Sequence, residues 1–497
     1  AGPRFSAVGA AVSYSSAFAI SAAALELHSL PLLHLGYGVL GGIGWGLGYI
    51  SPVSTLMRWF PDRRGLATGL GLTAFGGGAA LAAPVIQYLL AANFVPPDYL
   101  GAVADVAITL DDAGTMFAQT ADGLKEVVVA TAADLANVPA EHNLAEGVYV
   151  AGTGSTGGAT AFTTLAGTYG AAMLLGAAGN RVPHPDWKPA GWTPPADDLK
   201  DTSAGMISKN NVDHVTALKT PQFYLLWTAV MGNAVAGMTL LSAAKTTMGD
   251  VFGAALPAVV TGAFTTKYVA SLSTANSAGR LGWAAFSDYL GRKNTYFLFG
   301  AGIPIAASIP ILTGSFSDNP STLPLYIFYG GTMCMISFYG GLFSTLPAYI
   351  ADLFGQKHAG AIHGRVLTAW SAAALVGPNM LGYLHKSSHE SAIADLSAKL
   401  DPAAFEQTFG APVTHLPALI QSKAVTIPRL MELVPLGTHD PTPVLYDTTM
   451  YGIAGMLSVA MLANYLIKPV DPKFHLDAAQ LHQPSAETAS ATDNSGK

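Results

Sequence analysis

Charge is what this sequence lacks. Only 11% of its 497 residues are Asp, Glu, Lys or Arg, less than half the share of an ordinary soluble domain. Those few charges are gathered between long apolar stretches. Cysteine is nearly absent. Cys334 stands alone in an apolar run, which excludes a disulfide framework and any cysteine-based metal site. No Walker lysine follows a glycine run, no H-E-x-x-H pair occurs, and there is no Asn-x-Ser/Thr sequon. Two G-x-G-x-x-G strings, at 36–41 and 152–157, follow no strand of a βαβ unit and so make no dinucleotide site. A net charge of −7 offers no basic footprint for nucleic acid. No cleavable leader is visible, because the first apolar run is long and lacks a cleavage pattern. These absences leave no cofactor and no metal to expect. They also leave no cluster of intramembrane acids or histidines for a membrane enzyme to use.

What the chain does have is apolar length. Hydrophobic residues make up 51%, the mean hydropathy is +0.38, and there are 54 glycines, as in helices packed closely in lipid. A spanning helix needs about 20 mostly apolar residues. Ten segments qualify: 5–26, 34–57, 66–92, 158–179, 222–245, 262–287, 296–314, 324–351, 365–385 and 448–468. The fold class expected is all-α, a polytopic membrane helical bundle. The glycine series Gly38, Gly42, Gly46, with Gly44 and Gly48, has the small-xxx-small spacing of close helix contact.

Lys and Arg in the short loops set orientation. Arg58, Arg63 and Arg64 follow the second span; Arg181, Lys188, Lys200, Lys209 and Lys219 follow the fourth; Arg292 and Lys293 follow the sixth. Lys357 and Arg365 lie around the start of the ninth, and Lys468 and Lys473 follow the tenth. All fall on one side, which is therefore cytoplasmic, with both chain ends. The opposite loop 93–157 is acid-rich, with Lys125 its only basic residue. The domains expected are an N-terminal bundle of four spans over 1–179, carrying outer loop 93–157, and a cytoplasmic linker over 180–221. A C-terminal bundle of six spans follows over 222–472, carrying outer loop 386–447, and then a disordered tail over 473–497. Loop 93–157 has Ala- and Val-rich stretches that read as helical, and 386–447 has scattered proline; both read as small caps.

The stretch GRLGWAAFSDYLGRKN, 279–294, concentrates the chemistry. Arg280 lies deeper than about two turns inside its span, alone among the charges of the ten. A charge at mid-membrane costs at least about 2.5–3.5 kcal/mol, so it normally faces a cavity or a partner. With no acid at comparable depth, it reads as a site for an anion, which a guanidinium holds through two parallel hydrogen bonds. Pairing with backbone carbonyls, or snorkelling to the cytoplasm, is the other reading. Asp288 ends the span, where it can face the N-terminus of the helix begun by Pro61-Asp62-Arg63-Arg64-Gly65, which carries roughly half a positive charge. Gly291, Arg292 and Lys293 complete the hinge, the two cations pairing with acids or lipid phosphate. A contact made in one conformation and broken in another is a gate; the alternative is a set of positive-inside anchors. Tyr339 and Tyr349 in the eighth span and Tyr49 in the second are cavity-lining candidates that read equally as packing or interfacial aromatics; Lys267 reads as a snorkelling residue, and His363 as interfacial rather than a proton site.

The same stretch resembles the second-half loop motif of the major facilitator superfamily, G-x-x-x-D-R-x-G-R-[KR], with Ala284 for the motif glycine and Tyr289 for the arginine after Asp288. Gly2-Pro3-Arg4 resembles the end of the first-half copy. Members have six spans, a linker and six more, so the resemblance implies that two of twelve spans precede Ala1. Within the superfamily, 47–71, 279–295 and 360–378 resemble the oxalate/formate antiporters and their monocarboxylate-porter relatives. That resemblance implies an alternating-access transporter in the lipid bilayer, not an enzyme. The expected substrate is a small organic anion, a monocarboxylate or an oxalate- or formate-like acid. The expected coupling partner is a proton or counter-anion, and the protein is expected to be a plasma-membrane monomer. In the resembling oxalate antiporters an arginine in this span works with a lysine in the penultimate span; Trp370 stands at the matching position here. One cation instead of two favours a monocarboxylate, with Trp370 bounding the site. A facilitator for another solute and, more remotely, a membrane receptor or enzyme are the alternatives.

Overall fold

The computed structural model describes residues 2–476 except 104, 111–114, 121–122, 131–134, 136–141, 143, 185–186, 192–207, 209, 319–320, 422–424 and 436. Much of the expected linker, including Lys200 and Lys209, and the expected disordered tail beyond 476 lie outside the described residues. The chain forms two compact units, residues 1–55 with 77–182 and residues 56–76 with 183–497.

Every one of the ten apolar segments is helical. The long helices are α1 (Pro3–Glu26), α2 (Gly41–Trp59), α3 (Arg64–Ala92), α4 (Gly158–Gly179), α5 (Pro221–Ser242), α6 (Ala244–Phe252), α7 (Gly262–Leu290), α8 (Arg292–Phe299), α9 (Gly302–Asp318), α10 (Thr322–Phe354), α11 (Ala359–Val366), α12 (Thr368–Ser397) and α13 (Asp447–Leu466). Among the described residues, seven helical stretches are long and apolar enough to cross a membrane. This is a multi-pass integral membrane protein.

In the first unit, α1 packs on α4 and on the helix running from Leu30 to Trp59. Of the glycine series expected to allow this, Gly44 and Gly48 do so and Gly38, Gly42 and Gly46 do not. No atom would lie within 4 Å of a Cβ at Gly38, Gly42 or Gly46, whereas one at Gly44 would lie 2.8 Å from the Tyr14 nitrogen. Gly36 meets Ile20 and Gly48 meets Ala10. The close face is therefore 36/44/48. Residues 34–40 wind as a π-helix, with five-residue hydrogen-bond spacing, which rotates the side chains relative to an α-helical register.

The segment after α3 is a second correction. Instead of the expected helical stretches it holds five antiparallel strands, β1 (Tyr99–Gly101), β2 (Ile108–Leu110), β3 (Met116–Thr120), β4 (Gly123–Ala130) and β5 (Gly147–Val150), in the order β1-β5-β4-β3-β2. Ala118, Val127 and Val148 form its small core. The β-branched run Val127-Val128-Val129 pairs well in a ladder, where β-branched side chains fit better than in a helix.

In the second unit, α7 and α10 cross at very short range. A Cβ on Gly341 would lie 2.7 Å from Trp283 Cβ, and one on Gly340 would lie 2.8 Å from Asn276 Oδ1. Two glycines with positive φ then end these helices, Gly291 (+85°) after α7 and Gly355 (+81°) after α10. Only glycine adopts that backbone without strain, so both helices stop abruptly. Segment 386–447 consists of the end of α12 and short helices such as Pro402–Phe409 and Ile427–Met431, buried through Phe405, Ile427 and Leu430.

Candidate functional site

The second unit carries two linked constellations. The first lies where α7 ends beside the start of α3. Asp288 accepts a hydrogen bond from the Gly65 amide at Oδ1 and from the Leu66 amide at Oδ2, both 3.0 Å. These are free amides in the first turn of a helix, which a carboxylate satisfies with favourable charge. The contact expected between Asp288 and the helix begun at 61–65 is thus present. Room for it comes from Gly65 and Gly69. A Cβ at Gly65 would lie 2.7 Å from Asp288 Oδ1, and one at Gly69 would lie 2.9 Å from Ala284 Cβ. Ala284, the departure from the loop motif, is therefore accommodated by glycine on the opposing helix.

Arg292 reaches back to Asp288 (Nη2 to Oδ1, 2.5 Å), bonds the Ser287 hydroxyl, and reaches across to Asp352 (Nε to Oδ2, 3.4 Å). Arg64 approaches the other oxygen of Asp352 at 3.6 Å. The result is an alternating network, Arg64–Asp352–Arg292–Asp288, mostly buried, that ties the start of α3 to the ends of α7 and α10. Asp352 was missed in the sequence. Its signal was an acid placed just before Gly355 at the end of a span, the same pattern that marks Asp288 before Gly291. Lys293 does something different from the acid or lipid pairing expected of it. Its ammonium donates to the carbonyls of Tyr465 (3.0 Å) and Ile467 (2.6 Å), capping the C-terminus of α13, where a cation is favoured.

The second constellation surrounds Arg280, 5% exposed on α7. Its Nε donates to Asn276 Oδ1 at 3.3 Å and its Nη1 to the Leu72 carbonyl at 3.4 Å. Its guanidinium lies 5.9 Å from the centre of the Phe343 ring. The expectation of a bare cation is thus corrected: the guanidinium is engaged by neutral oxygens and an aromatic face. Phe343 is the hub. Its ring is 5.1 Å from that of Tyr339 and 5.0 Å from that of Trp370. Arg280, Tyr339 and Trp370, from three helices, are thus brought around one phenylalanine that sequence reasoning did not single out. Its signal was the four-residue spacing from Tyr339, which puts both rings on one face of α10. The Tyr339 hydroxyl donates to Met238 Sδ at 3.2 Å.

The remaining candidates fall elsewhere. Tyr349 is buried with its hydroxyl on Asn464 Oδ1 (3.1 Å), a packing role. Tyr49 is buried in the first unit. His363 is 2% exposed; burial pushes its pKa down to about 4, which keeps it neutral.

No family model matches the chain. It is 24% identical over 382 residues to the apicoplast pyruvate carrier 1 of Toxoplasma gondii, covering 72% of this chain and 60% of the carrier. It is 23% identical to the oxalate:formate antiporter of Oxalobacter formigenes, covering 70% of this chain and 62% of the antiporter. A 62-residue stretch is 48% identical to monocarboxylate transporter 11 of Mus musculus, covering 12% of this chain and 14% of that one. The chain thus spans about 60% of the length of the carriers it matches broadly. Among solved structures, the fucose:proton symporter of E. coli aligns over 93% of this chain and 83% of its own at 12% identity, with a TM-score of 0.49, too loose to decide anything further. The chain is thus similar in sequence to these carriers over about 70% of its length, and its stretch 279–294 resembles the loop motif of the major facilitator superfamily.

Proposed function

We propose that the protein is a secondary transporter of small organic anions that works by alternating access, with monocarboxylates as its preferred substrates. The observation that carries this reading is the setting of Arg280. A guanidinium deep in a spanning helix donates to two neutral oxygens, Asn276 Oδ1 and the Leu72 carbonyl, at hydrogen bonds near the long limit. Such a cation can exchange neutral acceptors for a carboxylate and gain a charge-assisted, two-pronged contact. Phe343, Trp370 and Tyr339 supply an apolar wall beside it. Relatives named for pyruvate, for oxalate and formate, and for monocarboxylates support the same substrate class.

In this proposal the Asp288–α3 contact, with Arg292 and Asp352, is the cytoplasmic latch, and it opens and closes as the site alternates. Gly291 gives the hinge its sharp stop, while Lys293 anchors α13. The protein works as a monomer, its transport coupled to a proton or a counter-anion. We assign it to the plasma membrane, which imaging of the tagged full-length protein checks; the pyruvate carrier it matches is named for an organelle. The deciding experiment is uptake into proteoliposomes by the full-length protein, with pyruvate, lactate, formate, oxalate and a neutral sugar as substrates. Saturable uptake of the monocarboxylates, lost in Arg280→Ala with insertion intact, is expected. Equal uptake of the sugar, or none of any acid, would overturn the reading.

A further inference from the structure

Beyond Asp352, the chain entering α5 is strapped along the end of α10. The Val212 amide donates to the Phe354 carbonyl (2.8 Å), the Lys357 amide to Asn211 Oδ1 (2.8 Å), and the Leu476 amide to the Asn211 carbonyl (2.8 Å). Val212 and Ala217 are fully buried. This strap fixes two backbone segments side by side, 211–217 and 355–358. Three potential ligands project from them: Asp213 and His214 from the strap, His358 from the residue preceding α11. One atom of each lies within 4.8 Å of the others, and all three residues are half-buried.

The carboxylate is already oriented. Its Oδ2 accepts from the amides of Val215 (2.8 Å) and Thr216 (3.3 Å), which starts the turn 216–219 and presents Oδ1 to His214 Nδ1 at 3.0 Å. Outer hydrogen bonds of this kind are what hold ligating carboxylates in place at metal centres. The rings of His214 and His358 lie 5.5 Å apart, tilted by 35°. Two imidazoles and one carboxylate are the donor set of a zinc site with an open fourth position. Zinc at its usual bond lengths holds tetrahedral ligands about 3.4 Å apart. From a spacing within 4.8 Å, the set has to close by at most about 1.4 Å to reach it. The neighbouring Lys357 opposes a cation and weakens the site without blocking it.

We propose that Asp213, His214 and His358 form a Zn2+ site that staples the entry strap of α5 to the loop joining α10 and α11. This does not depend on what the protein carries. It has a further consequence if the transport reading holds. α10 bears Asp352 and Phe343, and α12, which follows α11, bears Trp370, so a staple at this end restrains the elements that have to move, and Zn2+ slows uptake.

The test uses purified full-length protein and Co2+ as a visible substitute for Zn2+. Wild type is expected to show the d–d absorption of tetrahedral Co2+, one equivalent of it displaced by Zn2+. His214→Ala and His358→Ala should each weaken that equivalent by tenfold or more, and Asp213→Asn by about tenfold. His385→Ala with His389→Ala, in a second histidine pair on α12, should leave it unchanged. Should a substituted protein misfold, His358→Gln and His214→Gln, with comparable size and no imidazole, serve in its place. A wild type that binds no Co2+, or a His214/His358 double variant that keeps the same band and stoichiometry, would sink the proposal. Uptake unaffected by Zn2+ with the band intact would remove the regulatory consequence and leave the site.

Discussion

At the scale of single residues, two side chains divide the work. Asp288 satisfies two amides that the first turn of α3 cannot satisfy itself. A hydrogen bond involving a charged group contributes about 1.5–3 kcal/mol. Asp288→Asn keeps one acceptor and loses both the charge and the pairing with Arg292. Hydrogen exchange at Gly65 and Leu66 should then accelerate roughly ten- to a hundredfold, with the helix still formed. Unchanged exchange in that peptide would mean that Asp288 is a surface anchor and not a latch. Arg280 separates charge from geometry. Arg280→Ala should abolish carboxylate uptake. Arg280→Lys keeps the charge without the planar fork and should retain about a tenth or less. If the alanine variant is inserted and transports at the wild-type rate, the anion site lies elsewhere. Both residues were legible from the sequence because each is a charge in an apolar setting, where solvation alone makes it conspicuous. Phe343 and Asp352 were not, because an aromatic in an apolar run and an acid near a span end look ordinary until a partner from another helix is placed against them.

At the scale of elements, glycine decides which helices touch. The close contact of α3 with α7 depends on Gly65 and Gly69. Gly65→Ala would press a methyl group against the Ala284 carbonyl and the Asp288 carboxylate, both fixed, so about 1–3 kcal/mol of destabilisation is expected. At Gly69 the obstacle is partly the Ala284 methyl. Gly69→Ala should therefore be partly rescued by Ala284→Gly, although Ala284→Gly alone costs about 1 kcal/mol in the interior of α7. Thermal melting in detergent of the two single variants and the double variant measures that coupling; strict additivity would mean that the helices do not meet at this point. Spans were legible because apolar length is a strong signal. The glycine face was legible only in part: Gly44 and Gly48 belong to the spaced series and make contact, while Gly42 and Gly46 share the same spacing on the other side of the helix and meet nothing. The strands β1–β5 were missed because they are short and interleaved with alanine-rich runs. Yet the Asp-Gly dipeptide at 122–123, between Thr120 and the run of valines, was a hairpin signal standing in the sequence.

For the whole molecule, the sequence marks a polytopic helical protein and one intramembrane cation, and the proposed preference for monocarboxylates rests on the shortage of a second. A dicarboxylate bound at Arg280 has to bury its other carboxylate among Phe343, Tyr339 and Trp370, where no cation is at hand among the contacts described. Burying an unpaired carboxylate costs several kcal/mol, whereas the methyl group of a monocarboxylate gains by leaving water. Uptake of labelled pyruvate should therefore be inhibited by excess lactate at least about tenfold more strongly than by excess oxalate. Trp370→Lys changes the balance. It removes the ring that closes on Phe343 at 5.0 Å and puts an ammonium on the same face of α12. Since Arg280 and Trp370 both lie against Phe343, a Lys at 370 is expected to pair with a second carboxylate whose partner is held by Arg280. In that variant oxalate should become the better competitor, and monocarboxylate uptake should fall because the apolar wall is lost. Two controls keep the comparison clean. Trp370→Leu preserves the wall without the charge and should keep the wild-type order of preference, and the Trp370→Lys, Arg280→Ala double variant should transport neither class. If oxalate competes as well as lactate in wild type and Trp370→Lys leaves that ratio unchanged, then Trp370 does not border the anion site. The selectivity would then have to come from residues outside the Phe343 cluster.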